Sequence, residues 1–525
     1  MGLTGLIGIH LEIFVAVASG AFLVAYTRRA LRTLWVSSRL IRRRLPLVPT
    51  SMPQTSTPSS RLLLPGRTRP ETDFGRLRRR AAHVLLAGTS LLAGAGGLAA
   101  EAAEAWPSFQ NGGQVTISAP VPRSWTEEAG VAWKADLEGY GQSSPVVWEG
   151  RIYVTSVSGP QKETYHIAAY SLADGAKVWQ HDLKNPSPQE STAYVSRAAP
   201  TPAVDASGLV CLFEGGNLLG LTHDGKVRWE RNLVEEYGAI DSRHGISASV
   251  EQSPDAAYIW IERTTDPYVL AVSKETGKNL WKVAGAGSTS WASPRLVSVE
   301  GDKQHLVLSA VGHLIGLDPA SGERVWTLDE IAGNSTPTPV PAGEGRFLIG
   351  ATTGQGAEKG AKANESNGMI GIARSGDGTW KASWLWHAAR ATSSFGSPIV
   401  AGGRAYFVNR TGVLYCLDDK TGEEKYAQRT SDSIWATPVA TGDAILLFGK
   451  SGMVTAVSAG DMFEKLSEST AWPQEAKKPE APPAAEGRGA GGPPDRSAPV
   501  LYGAAIAEGK LVLRRGDQLI CIKGS

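Results

Sequence analysis

Cysteine is scarce in this chain: three residues in 525, Cys211, Cys416 and Cys521, each set in an apolar run (LVCLF, VLYCL, LICI). The count is odd, and there is no vicinal pair, no Cys-x-x-Cys and no haem-attachment Cys-x-x-Cys-His. The three thiols therefore read as small buried hydrophobes rather than as redox or metal groups. Equally missing are the Gly-x-Ser-x-Gly elbow, the His-Glu-x-x-His zinc motif, the P-loop and the dinucleotide fingerprint, so the common enzyme classes built on them leave no trace. Lysine is absent from the first 80 residues, which hold 14 arginines against the acids Glu12, Glu71 and Asp73. From Trp106 onward the balance reverses to 39 basic and 46 acidic residues, a net of −7. A mildly acidic fold does not attract nucleic acid or anionic lipid over long range.

The first hundred residues concern address. Leu3 to Tyr26 is apolar and long enough to span a bilayer, with Arg28, Arg29 and Arg32 after it, although His10 and Glu12 lie inside. A better-formed signal follows: Arg76, Arg78, Arg79 and Arg80, then an apolar stretch, then small-residue cleavage patterns at Ala100-Glu101-Ala102 and Ala103-Glu104-Ala105. Between them, residues 45–75 have the composition of a disordered linker. The expected organisation is an apolar segment plus linker over 1–75, a signal peptide over 76–105, and the folded part over 106–525. Either the true start lies near residue 76, or 3–26 is a real anchor that would give the chain its contact with the membrane. No cysteine stands at the cleavage site, which speaks against a lipid anchor.

What the chain has in abundance is turn residues and tryptophan: 60 Gly, 31 Pro and 16 Trp. From residue 131 a pattern returns roughly every 40–60 residues. A short strand containing Ser/Thr/Ala-Pro is followed by a Gly turn, two apolar strands, an Asp/Gly turn and a strand closing on Trp. The closing aromatics are Trp179, Trp229, Trp281, Trp326, Trp386 and, in the same slot, Tyr426. Four short strands cannot bury both faces of their own sheet, but sheets stacked around an axis can. The last unit has only three strands, and GVAWKADL, residues 130–137, carries the missing closing pattern with Trp133 in the Trp slot. The predicted fold is all-β: an eight-bladed β-propeller of four-stranded antiparallel blades, closed by an N-terminal strand that completes the last blade. Two insertions interrupt it, a flexible polar loop over Gly354–Gly368 and a disordered Pro/Ala/Gly tract over Ala471–Pro494. The aromatic series is expected to dock blade against blade.

The copies LADGAKVW, KETGKNLW, PASGERVW and DDKTGEEKY, with the opening WPSFQNGG from Trp106 to Gly113, resemble the pyrroloquinoline-quinone-type propeller repeat of exported bacterial proteins. The resemblance implies the fold over about 420 residues and much less about function. Members of that family include quinone-dependent dehydrogenases and scaffolds similar to the periplasmic component of outer-membrane protein assembly. An enzyme of this family implies a bound quinone, a calcium ion on Asp, Asn and Glu, and a catalytic Asp. No such set aligns here. Asp174, Asp224, Asp318 and Asp418 fall in turns that favour them anyway.

Strand-one entrances ring the mouth of a propeller's channel, and here they include Arg197, Arg243, His244, Trp291, Phe395 and Trp435. They form a candidate pocket that stacks a planar ligand or grips a partner. The alternative is that the aromatics fill the axis and the cations are solvated. The expectation is an exported, non-catalytic scaffold with protein partners in the cell envelope and no cofactor, no metal and no nucleic acid. The competing expectation is a pyrroloquinoline-quinone- and calcium-dependent dehydrogenase of alcohols or sugars.

Overall fold

The computed structural model describes residues 105–524 apart from 119, 191–194, 243, 288–289, 353–361 and 474–499. The expected anchor, linker and signal segments lie outside the described residues, as does most of the tract expected over 471–494.

Eight sheets follow one another along the chain. Blade one is Val146–Trp148, Arg151–Ser158, Thr164–Ser171 and Lys177–Lys184, each antiparallel to the next. Blades two to seven repeat that order, beginning at Ala203, Glu251, Arg295, Val340, Ile399 and Val439. Blade eight is Gly503–Ala507, Lys510–Arg515 and Gln518–Lys523, and its outer strand is Val131–Asp136, paired antiparallel with Gln518–Lys523. A strand that precedes blade one and the final strands thus share one sheet, and the propeller is closed. Blade seven, whose fourth strand is weak in the sequence, has a full one at Lys465–Thr470. It also gains a strand on its inner edge, Thr116–Ile117, parallel to Val439–Thr441.

The apolar cores lie between blades rather than within them. Tyr153 and Ile167 of blade one pack with Leu209, Phe213 and Leu219 of blade two, the seams up to blades six and seven each have their own cluster, and blades seven, eight and one share one. This explains the unbroken apolar runs. Gly208–Leu212 and Asn217–Leu221 are buried throughout, because both faces of an inner strand meet a neighbouring sheet, whereas the outer Val227–Asn232 is partly exposed.

Every outer strand carries a β-bulge in one place. The residue skipped by the pairing is Val178, Arg228, Leu280, Val325, Leu385, Lys425, Leu466 or Ala132, in blades one to eight in turn. A bulge raises local twist and re-aims the next side chain, and the next residue is the docking aromatic in every blade but seven, where it is Ser467. The aromatic then swings onto the turn of the following blade. Trp179 Nε1 donates to His223 O at 2.8 Å, Trp229 to Lys274 O at 2.9 Å, Trp281 to Pro319 O at 3.0 Å, Trp386 to Asp419 O at 3.0 Å, and Trp133 to Leu172 O at 3.2 Å. The rings cover Gly225, Gly277, Gly322, Gly422 and Gly175, where a Cβ would come within 2.5–2.8 Å of a ring atom. These glycines also have φ of 69–82°, so both the left-handed backbone and the ring contact require glycine in that turn. Trp179→Ala is expected to cost about 3–5 kcal/mol, read as a lower urea midpoint; a cost below about 1 kcal/mol would show that the rings do not cement the blades.

Trp326 departs from the pattern. Its Nε1 donates to His305 Nδ1 at 3.0 Å within its own blade, and Trp380 of blade five packs edge-on against the same imidazole, centroids 4.7 Å apart. Burial pushes His305 down to about 4, so the ring is neutral and able to accept. Tyr426 keeps the slot by packing on Phe463, centroids 5.9 Å apart.

Both expected insertions are tighter at their ends than composition implies. Ala471 and Trp472 are buried in the core of blades seven, eight and one. Asn367 is buried, and its Oδ1 accepts from Ala351 N at 2.8 Å and Ser393 N at 3.1 Å. One polar side chain satisfying two buried amides holds the end of that loop in place.

Candidate functional site

The inner strands line a channel whose architecture comes from one repeated position. Ser144, Thr201, Ser249, Ser293, Thr338, Ser397 and Thr437 stand at the head of blades one to seven, and all but Ser249 precede a proline. Proline holds the residue before it extended and has no N–H to leave unpaired on the axial edge. Each head residue bonds the next around the ring. Ser144 N donates to Thr201 Oγ1 at 2.9 Å, Thr201 N to Ser249 Oγ at 3.1 Å, and Ser249 N to Ser293 Oγ at 2.9 Å. Ser293 N then donates to Thr338 Oγ1 at 2.9 Å, Thr338 N to Ser397 Oγ at 2.9 Å, and Ser397 N to Thr437 Oγ1 at 3.0 Å. In blade eight the matching residue is Gly503, whose Cβ would stand 2.2 Å from Ser144 Oγ. The result is a belt of hydroxyls around the axis.

Below the belt the N-terminal segment crosses the channel. Trp106, 1% exposed, exchanges backbone bonds with Val147 at 2.8 and 2.9 Å, and Val204 N donates to Pro107 O at 2.8 Å. Gln110 Nε2 donates to Ser397 Oγ at 3.0 Å and Thr437 Oγ1 at 2.7 Å, and Ala440 N donates to Val115 O at 2.9 Å. Gln110 and Asn111 adopt left-handed φ of 56° and 52° ahead of Gly112 and Gly113, a conformation that costs non-glycine residues about 1–3 kcal/mol each. Arg295 sustains it, donating from Nη2 to Phe109 O at 3.1 Å and Gln110 Oε1 at 3.3 Å. Its Nη1 lies 2.9 Å from Glu251 Oε2, and both side chains are buried.

Above the belt, two residues earlier on each strand and so on the same face, come Gln142, Ala199, Ser247, Trp291, Thr336, Phe395 and Trp435. With the belt and the crossing segment they enclose a cavity of about 180 Å³ whose lining, among the described residues, contains no charged side chain. A second cavity of about 300 Å³ shares Trp291, Thr336 and Phe395 and adds His244 and Val195. Phe395 and Trp435 pack at 4.9 Å and His244 and Trp291 at 5.8 Å between centroids.

The structure therefore brings Trp291, Phe395 and Trp435 onto one channel, with His244 at its rim. Arg197 does not line it: its backbone N–H donates to Gln142 Oε1 at 2.8 Å, but its guanidinium turns away and stacks 3.8 Å from the centroid of Tyr140. Arg243 is outside the described residues. Sequence reasoning missed the belt, Gln142 and Thr336, although Ser/Thr-Pro at each blade head and the period-two spacing Trp-Ala-Ser, Phe-Gly-Ser and Trp-Ala-Thr carried the signal. It also missed Ser158, His166 and Asp182, where His166 Nε2 lies 2.8 Å from Ser158 Oγ and Nδ1 lies 2.7 Å from Asp182 Oδ1. These three stand on adjacent strands of one sheet, away from the axis, and tie its strands together.

A calcium–quinone pair asks for carboxylate oxygens on the metal and cations for an anionic cofactor. The channel lining offers hydroxyls, amides and aromatic rings, and among the described residues no cluster of three His, Cys, Asp or Glu side chains is placed to hold a metal. The residues present do not fit that pair.

One buried acid sits on the same face of the ring. Burial raises Glu262 to about 7, against a hydrogen bond donated by Trp260 Nε1. The folded chain then binds a proton that the unfolded chain releases near 4.5, so stability falls as pH rises from about 4.5 to 7. Glu262→Gln should gain melting temperature over the parent across that window and show no widening gap above it; parallel melts at pH 4.5, 6 and 8 check the sign.

A profile of the family described as outer membrane protein assembly factor BamB matches residues 123–249, 239–376 and 366–490. Among solved structures, BamB from Moraxella catarrhalis is 14% identical with a TM-score of 0.50, over 75% of this chain and 99% of that one. The quinohemoprotein alcohol dehydrogenase from Comamonas testosteroni is 13% identical with a TM-score of 0.51, over 80% of each chain. ADHIIG from Pseudomonas putida HK5 is 12% identical, also with a TM-score of 0.51 over 80% of each. No curated protein matches the chain significantly. At such identities the structural likeness shows the fold alone. The profile, which spans most of the propeller from its closing strand to blade seven, carries the assignment: this chain belongs to the BamB-like family of pyrroloquinoline-quinone-type repeat propellers.

Proposed function

We propose that the chain is a non-catalytic scaffold, exported to the cell envelope, that works by binding proteins. The observation carrying this reading is the axis itself: it is crossed by the chain's own segment Trp106–Ile117 and, among the described residues, lined without a charged side chain. Among the described residues such an axis has no carboxylate for proton transfer, the His244 imidazole packs on Trp291 at the rim, and there is no set of ligands for a quinone and its metal. The family description, an outer-membrane assembly factor, agrees with that chemistry and suggests assembly components as partners.

The test sets the scaffold against the dehydrogenase. Full-length protein is melted with and without pyrroloquinoline quinone and calcium, and dye reduction is followed with alcohols and sugars. No thermal shift and no dye reduction are expected, together with crosslinking in cells to outer-membrane assembly components. A saturable thermal shift with substrate-dependent dye reduction would overturn the scaffold reading.

A further inference from the structure

We infer that the channel mouth is a docking site for an uncharged, extended stretch of a partner polypeptide, with an apolar side chain seated among Trp291, Phe395 and Trp435. This rests on the scaffold reading and names what the scaffold binds.

The lower half of the channel already shows what these inner strands hold. There the occupant is a peptide, the chain's own Trp106–Ile117, which turns tightly at Phe109–Gly113 and is a strand at Thr116–Ile117. It is bound by backbone pairing to Val147 and Ala440 and by a side-chain amide laid across the hydroxyls of Ser397 and Thr437. The upper half repeats the same chemistry with room left over. Thr201, Ser249, Ser293 and Thr338 each accept one backbone N–H, and among the described residues their hydroxyl protons have no assigned acceptor. They face the same cavity as Gln142 and Thr336. Peptide carbonyls are suitable acceptors for such protons.

The rim fixes the rest of the ligand's character. Phe395 is 41% exposed at the mouth and packs on Trp435, centroids 4.9 Å apart, so the two rings present one apolar face there. Trp435 is held by Lys450, whose Nζ lies 4.6 Å from the ring centroid, and by Nε1 donating to Ser433 Oγ at 3.1 Å. A pre-set aromatic wall grips an apolar side chain at low entropic cost. Among the described residues no charged side chain lines the cavity, so an ion entering here loses water with no counter-charge in the lining itself. The Lys450 ammonium behind the lining is engaged with the Trp435 ring. The two cavities, about 180 and 300 Å³, admit a few residues rather than a folded domain. Because the belt N–H groups are already bonded around the ring, a peptide entering the mouth is held by the hydroxyls and the rings rather than by strand addition.

The experiment uses full-length protein on an array of immobilised ten-residue peptides of random composition. Bound peptides should be depleted of Asp, Glu, Lys and Arg and enriched in aromatic and aliphatic residues. Trp291→Ala should weaken binding by about tenfold or more. Thr336→Lys, which brings a charge to the mouth, should do the same while the melting temperature holds. The proposal fails if charged peptides bind equally well, if both variants bind like the parent, or if a neutral oligosaccharide displaces the retained peptides as effectively as a free peptide does. Array binding without selectivity, while assembly components are still crosslinked in cells, sinks the mouth and leaves the scaffold. Selective array binding without those crosslinks keeps the mouth as a peptide site and sinks the envelope-assembly role.

Discussion

A chain lacking Gly130–Leu137 is expected to lose its cooperative melting transition. The deleted strand completes blade eight, pairing Val131–Asp136 with Gln518–Lys523, and its flanks add Leu137 N to Asp517 O at 2.8 Å and Lys523 N to Gly130 O at 2.9 Å. It also carries Trp133, which bonds Leu172 O and covers Gly175 of blade one. Loss of the ring alone costs about 3–5 kcal/mol, a large share of the roughly 5–15 kcal/mol that stabilises a folded domain. The bared strand Gln518–Lys523 would then present an open edge to other chains. The inner side of the seam cannot compensate. Arg514, fully buried, donates to Ser143 O, Ser143 Oγ, Thr155 O and Gly516 O, a geometry that depends on blades eight and one staying in register. Calorimetry of the deletion decides the matter: a sharp transition at the parent's temperature would show that closure is not what holds the propeller together.

Arg295→Met should be the most damaging single substitution on the axis. It leaves the Glu251 carboxylate buried without its cation and frees Phe109 O and Gln110 Oε1, so the strained turn Gln110–Gly113 loses its clamp. Breaking one side of a buried pair costs about 3–5 kcal/mol, whereas replacing both sides with apolar groups is often close to neutral. The double variant Arg295→Met, Glu251→Leu should therefore recover most of the ion-pair loss and keep only the part due to the freed segment. Urea unfolding of the parent, both single variants and the double variant gives the coupling directly. A single-variant cost under about 1 kcal/mol would mean that the crossing segment is held by its backbone bonds alone.

Much of this architecture was legible because the repeat writes it in residues that have few alternatives. The Asp/Thr-Gly turns and the aromatic after them recur because each glycine has a left-handed backbone and a ring sits on it, as Trp229 does on Gly277. GVAWKADL could be assigned to blade eight because it has the outer-strand pattern and blade eight lacked one. The candidate site was half legible. Trp291, Phe395 and Trp435 are large rings at strand heads, and they converge. Arg197 was placed with them by position but stacks on Tyr140 instead, since a guanidinium gains more from a ring face than from an uncharged channel. Trp326 likewise turned inward to His305 because Trp380 packs on the same imidazole.

By itself the sequence determined the blade count, the strand order, the closing strand and the docking aromatics, since each depends on local pattern: apolar runs, turn glycines and the spacing of one ring per repeat. Only the tertiary structure decided the bulge before each docking ring, the hydroxyl belt and the passage of Trp106–Ile117 across the axis. Those features join residues far apart in the chain, such as Gln110 with Thr437 and Arg295 with Phe109. A short polar side chain has many possible partners until the ring closes and selects one.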